Sequence, residues 1–273
     1  MLTILQQLAN MCYQVIHTSF KFEEKLRLPI CWNGFRDSGN EIDTKICIKP
    51  YADRTEVYNG EVCFRTTFEA CNCLIHDGSL MLADKKWHNA SFLVADNLGH
   101  IELFLVQLFY THAVQRQMLQ LHCATIEDQG RGILFLGPSG IGKTTQAERW
   151  AQYRGSAIIN GDIGFVQRTP RGYTAWGTPW HGSSPYCLNT SVPVKALVVL
   201  KQSPENALRE LAGFEKVREV SGSVFYPTWL QDGMELCTDT LNHLLSDLPV
   251  YRLDNRADEE AVRLLAKEID CIP

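Results

Sequence analysis

From residue 119 onward, short apolar runs alternate with amphipathic stretches. Residues 132–136 form a continuous apolar run, the pattern of a short buried strand. Residues 144–153 read as a helix. Strands are predicted at 157–159, 163–167 and 196–200, and the near-continuous apolar run 194–200 suits a central strand. Helices at 239–245 and 258–269 close the chain, with Asp254 or Asn255 as the cap of the last one. Strands and helices in alternation predict an α/β domain. Upstream the texture differs. Short apolar runs at 45–48, 61–68 and 91–94 are separated by turn signals such as Asn59-Gly60 and Asp77-Gly78. Asn59-Gly60 between residues 55–58 and 61–65 predicts a hairpin. Between these zones, Ile101, Leu103, Phe104, Leu105, Leu108, Phe109 and Val114 recur at roughly helical spacing. They predict a long, mostly buried linking helix over 100–118. The chain thus divides into a smaller mostly-β region, 1–99, and an α/β domain, 100–273, that includes this helix.

Composition narrows the classes. With 273 residues, 45% hydrophobic and 21% charged, the chain can bury a core without disulfides or metals. Its net charge of -5 argues against broad affinity for nucleic acid or anionic membrane, since both require a basic surface. The first twenty residues lack a basic segment followed by an apolar block. The ten scattered cysteines are therefore expected as reduced thiols in the cytoplasm. Cys71, Cys73 and His76 match no standard zinc spacing, and no zinc is expected from them. The most apolar stretch, 101–110, is too short to span a bilayer and is interrupted by Gln107.

The candidate chemistry begins with Gly137-Pro138-Ser139-Gly140-Ile141-Gly142-Lys143-Thr144, followed by Thr145. This fits G-x-x-x-x-G-K-[ST] completely, between a predicted strand and a predicted helix. Glycines let backbone N–H groups converge on phosphate oxygens without a Cβ in the way. The helix adds its positive N-terminal end. Lys143 supplies a point charge, and the Thr144 hydroxyl is a hard oxygen ligand suited to Mg²⁺. The motif predicts a nucleoside triphosphate site. Two neighbours extend it. His122 lies fifteen residues upstream of Gly137. Asp162 lies eighteen residues past Thr144, at the end of an apolar strand, where a carboxylate reaches the magnesium shell.

His122-Cys123-Ala124, the strand at 132–136, the loop at 137–145 and the segment 158–162 resemble the nucleotide core of HPr kinase/phosphorylase and ATP-dependent phosphoenolpyruvate carboxykinase. The overlap covers about 40 residues. Two looser matches, residues 177–184 and 248–253, are similar to HPr-kinase-related proteins encoded beside peptide-modification genes. The resemblance implies a phosphoenolpyruvate carboxykinase-like P-loop domain with a mixed sheet. It implies ATP and Mg²⁺ as cofactors, and transfer of the terminal phosphoryl group to a hydroxyl, a serine of a peptide or small protein. It also implies a homo-oligomer. Thr144 and Asp162 become the metal ligands; Lys143, Asp162 and His122 become the catalytic groups. The chain is about half the usual carboxykinase size and lacks a counterpart of that enzyme's substrate arginine motif. In one respect it departs from the pattern. Where the family has an Asp-Asp pair, this chain has Gly161-Asp162, so the carboxylate usually assigned as base toward the acceptor is missing. His181, in a Gly/Ser/Pro-rich loop and able to titrate near neutrality, is the candidate replacement. Three functions fit these residues: a kinase for a peptide or protein serine, a kinase for a small metabolite, and a non-catalytic nucleotide-binding switch or scaffold. A P-loop contacts phosphates, so ATP and GTP are not separated.

Overall fold

The computed structural model describes residues 11–23, 28–37, 41–50, 56–58, 61–63, 66–94 and 98–272. They fall into two compact units, residues 1–112 and 113–273.

The first unit is built on one mixed seven-stranded sheet. Its strands are β1 (Cys12–Val15), β2 (Thr18–Phe22), β3 (Arg36–Asp37), β4 (Thr44–Pro50), β7 (Asn72–His76), β8 (Ser79–Ala83) and β9 (Asn89–Val94), in the order β3-β1-β2-β4-β9-β8-β7. The central pairs β2–β4 and β4–β9 are parallel. Two further strands, β5 (Glu56–Tyr58) and β6 (Glu61–Cys63), pair antiparallel with each other. The turn residues Asn59-Gly60 between them lie outside the described residues. Phe20 packs on Phe109 and Phe92 on Phe104, with ring centroids 6.5 and 5.4 Å apart. These contacts bury one face of helix α1 (Leu98–Val114) against the sheet. The helix ends four residues before the predicted limit. Gln117 adopts a left-handed φ of 55°, which breaks the helix and redirects Met118 into a strand.

That strand, β10 (Met118–Asp128), is the spine of the second unit. Its first half pairs with β13 (Ile163–Thr169), and its second half with β11 (Arg131–Leu136) and β12 (Ala157–Asn160). A second long strand, β15 (Ser191–Gln202), pairs antiparallel with β14 (Gly172–Trp176), then in parallel with β11 and with β18 (Val250–Asn255). β16 (Ala207–Glu210) and the two-residue β17 (Val224–Phe225) complete a nine-stranded mixed sheet. Alternate residues of β10, β11, β15 and β18, among them Ile126, Phe135, Val198 and Leu253, face α2 (Lys143–Arg154) and α5 (Glu259–Ile269). Trp150 of α2 and Leu265 of α5 are fully buried in this layer. The short α3 (Phe214–Val220) and α4 (Gly233–Asp247) complete the unit. The unit is thus mixed α/β, as its alternating pattern predicts.

Several boundaries differ from the sequence expectation. α4 begins at Gly233 rather than 239, and β14, β16 and α3 come in addition. The last helix is capped not by Asp254 or Asn255 but by Asp258, whose side chain accepts a hydrogen bond from the Ala261 N–H. The side chains of nine of the ten cysteines are described, and no disulfide joins any of these nine. No helix of the described residues is long and apolar enough to cross a membrane.

The C-terminal end of α2 is fastened by charge. Asp128, 1% exposed, accepts hydrogen bonds from Arg154 Nη2 at 2.8 Å and Ser156 Oγ at 2.6 Å. Arg154 reaches on to Asp270 at 2.9 Å, and Arg131 meets the same carboxylate at 2.7 Å.

Candidate functional site

The position of β10 between two neighbours assembles the site. On one side Cys123 pairs with Leu136, the last residue of β11, so the chain enters the loop 137–142 beside His122. On the other side His122 pairs with Ile163, the first residue of β13. Gly161 and Asp162 fill the gap between β12 and β13, and the Asp162 carbonyl accepts from Cys123 N at 2.9 Å. His122 therefore stands between the loop and Asp162.

The loop adopts the backbone that its glycines permit. Gly137, Gly140 and Gly142 have φ of 140°, 77° and 105°, values L side chains rarely adopt. Pro138, Ser139 and Gly140 are exposed, Ile141 and Gly142 half-buried, and α2 starts immediately after. Lys143 is 6% exposed. Its Nζ lies 3.0 Å from His122 Nε2 and donates to the carbonyls of Gly137 at 3.1 Å and Pro138 at 3.2 Å. His122 Nε2 is also 3.0 Å from Asp162 Oδ1. One ring nitrogen cannot serve both: it either donates N–H to the carboxylate or offers its lone pair to the ammonium. The Thr144 hydroxyl donates to the Gly161 carbonyl at 3.1 Å, on the Asp162 side of the site. Thr145 is exposed at the mouth of a cleft of about 630 Å³. Gly140, Gly142, Gln202, Asn255 and Arg256 also line it.

Charge at the centre follows from these contacts. The His122 hydrogen bond holds the Asp162 carboxyl below the usual range against the opposing effect of burial, helped by the charges of His122, Lys143 and His181. Burial lowers the Lys143 pKa, while Asp162 and Cys123 push it back up. Burial also drives the Cys123 thiol up to about 12, which keeps it protonated and unreactive.

His181 is held differently. Its Nδ1 bonds the Ser184 carbonyl, and the next residue, Gly182, lies against Asp162. A Cβ built on Gly182, whose φ is 57°, would fall 2.2 Å from Asp162 Oδ2. The loop after β14 is tied to the Gly161-Asp162 turn by Asn160, which is fully buried. Its side chain donates to the carbonyls of Thr178 at 3.2 Å and Trp180 at 2.8 Å. Its Oδ1 accepts from the N–H groups of Asp162 at 2.9 Å and Ile163 at 3.0 Å. Sequence reasoning misses Asn160 and Gly182 as site residues. The available signal is the Asn-Gly-Asp run itself, because an Asn side chain bonding the N–H two residues on is a local turn device. Arg149, on α2, is half-buried and donates to the Ala257 carbonyl at 3.0 Å.

Gly161 carries a further constraint. A Cβ at this position would lie 1.8 Å from Ser184 Oγ and 2.5 Å from its Cβ. Ser184 is itself buried, with its hydroxyl accepting from Tyr186 N at 3.2 Å. Gly161→Asp is therefore expected to cost about 1–3 kcal/mol through overpacking, and the double variant Gly161→Asp/Ser184→Gly to recover most of that. Denaturant unfolding of both variants checks it; an unchanged midpoint in the single variant would show that the Ser184 loop yields freely.

No curated protein sequence matches the chain. Among solved structures, the Hpr(Ser) kinase/phosphatase from Coxiella burnetii is similar at 11% identity over 55% of this chain and 87% of that one, with a TM-score of 0.32, too low to establish a common fold. Residues 100–253, more than half of the chain, match the family described as the SynChlorMet cassette protein ScmC. The chain belongs to that family.

Proposed function

We propose that the chain is an ATP- and magnesium-dependent phosphotransferase that moves the terminal phosphoryl group to a hydroxyl, with a serine of a peptide or small protein as acceptor. The observation that carries this reading is the buried Lys143 ammonium beneath an exposed glycine turn, joined through His122 to Asp162. A P-loop on a mixed sheet also supports a phosphoenolpyruvate carboxykinase-like arrangement for residues 100–273, with 1–99 as the accompanying mostly-β region.

In this reading the triphosphate lies along the amides of 137–144 and the nucleoside enters the cleft beside Gln202 and Asn255. Lys143 exchanges His122 for a phosphate oxygen, and His122 Nε2 then donates to Asp162. The Thr144 hydroxyl and the ionised Asp162 carboxylate are hard oxygen donors on the same side of the site, and they fit magnesium. Magnesium bound there would neutralise charge on the transferring phosphate. The acceptor oxygen forms a bond to the γ-phosphorus as the bond to the β-phosphate oxygen breaks. ADP leaves, and the acceptor proton passes to His181, whose Nδ1 is engaged by Ser184 so that Nε2 receives it. Most of the rate comes from positioning and charge, which needs no carboxylate at 161.

The packing of Ser184 into the space above Gly161 favours one alternative, a nucleotide-binding switch without turnover. One experiment separates the two. The protein is incubated with γ-labelled ATP, Mg²⁺ and the peptides encoded in the same cassette. Label on a serine, absent with Lys143→Ala, is the expected result. Tight ATP binding with no transfer to any of them would replace the transferase by the switch.

A further inference from the structure

We infer that the first unit carries a transition-metal site formed by His76, Asp77 and His100, independent of the phosphotransfer reading. The sequence spacing that excludes a zinc motif around Cys71, Cys73 and His76 could not reveal it, because His100 arrives from α1.

The hairpin between β7 and β8 turns on Asp77 and Gly78, both left-handed with φ of 42° and 78°. His76 and Ser79 close that turn as a paired register. His100 lies in the first turn of α1. One ligand atom from each of His76, Asp77 and His100 lies within 4.8 Å of the other two. His76 Nε2 is 3.5 Å from Asp77 Oδ2. The two imidazoles stand edge to face, with centroids 5.1 Å apart and planes at 88°.

Tetrahedral zinc with bonds of about 2.0–2.1 Å holds its ligand atoms roughly 3.3 Å apart. The three groups are thus about an ångström or so from a closed site. His76 and Asp77 are exposed and can rotate inward at little packing cost. His100 is already oriented: its Nδ1 lies 2.7 Å from the hydroxyl of Ser79, which is fully buried. A partner that fixes ring orientation is the usual companion of a metal-ligating histidine. Two imidazoles and one carboxylate select zinc-class divalent ions over magnesium or calcium, which prefer oxygen throughout. Three protein ligands leave the fourth position to water.

The test is calorimetric titration of the intact, chelator-treated protein with zinc chloride, with circular dichroism to establish that each variant is folded. Asp77→Asn is the safest ligand variant, since asparagine tolerates the left-handed turn. Zinc is expected to bind at a site that Asp77→Asn, His76→Gln and His100→Gln each weaken by about tenfold or more, that Ser79→Ala weakens by about 10–100-fold through His100, and that Cys71→Ser and Cys73→Ser leave unchanged. Absence of zinc binding would overturn the site. So would wild-type affinity in folded Asp77→Asn and His76→Gln, or loss confined to the cysteine variants, which would place the ion on the thiols.

Discussion

Lys143→Ala is expected to reduce phosphoryl transfer by about 10²–10³-fold, the usual effect of removing one preorganised charge-stabilising donor from a water-poor site. The lysine is nearly buried, with its ammonium held by two carbonyls of the loop and by His122. Its attraction for a phosphate oxygen is therefore screened little by solvent. Binding of ATP–Mg²⁺ should weaken as well, because the ground-state phosphates also meet the ammonium. Calorimetry measures the binding change and single-turnover transfer measures the rate. Full transfer activity in the alanine variant would remove the lysine from the phosphate site, and with it the reading built on it.

Asp128→Ala is expected to destabilise the second unit by about 3 kcal/mol. Removing one partner of a buried ion pair costs about 3–5 kcal/mol. The low end applies because Asp270 still receives Arg154 at 2.9 Å. The effect should depend on pH with a definite sign. Burial raises the Asp128 pKa, but the hydrogen bonds of Arg154 and Ser156 and the charges of Arg154 and Arg131 outweigh it, so the folded carboxyl titrates below its ordinary value. A depressed folded pKa contributes stability that is fully present above the unfolded value of about 3.9 and is lost as pH falls through the folded one. The stability gap between wild type and variant should stay constant from neutral pH to about pH 5 and narrow below about pH 4. Denaturant unfolding at pH 7 and pH 3 measures it. An equal gap at both would mean that the carboxylate is not what holds the end of α2.

The parts of the fold legible in the sequence are those written locally. An apolar strand, a glycine turn and a helix follow one another over residues 131–154, so both the loop geometry and the start of α2 can be read in order. His122 and Asp162 can be singled out by residue type and position, but their 3.0 Å contact depends on the β10–β13 register. That strand is hard to see. Its apolar start follows the helical run of α1 directly, and only the left-handed Gln117 divides them. Asn160 owes its place to carbonyls eighteen and twenty residues away. Ser184 meets Gly161 only after the loop beyond β14 folds back. From the chain alone, aspartate at 161 looks like restoration of a missing base; in the packed molecule it is a collision. The parallel pair β4–β9 of the first unit joins strands separated by the whole hairpin of β7 and β8, a distance local patterns do not encode.

The parallel seam between β11 and β15 has a bearing on biosynthesis. β10 reaches β11 through the two-residue turn Gln129-Gly130, so one flank of β11 can zip up as soon as it leaves the ribosome. The opposite flank consists of residues 194–199, about sixty positions later. Closing so long an intervening segment is entropically slow. A nascent chain stopped near residue 185 would contain every residue of the glycine turn and still lack the second wall that supports it. The support beneath the loop 137–142 is therefore expected to be completed late in translation, after β15 emerges.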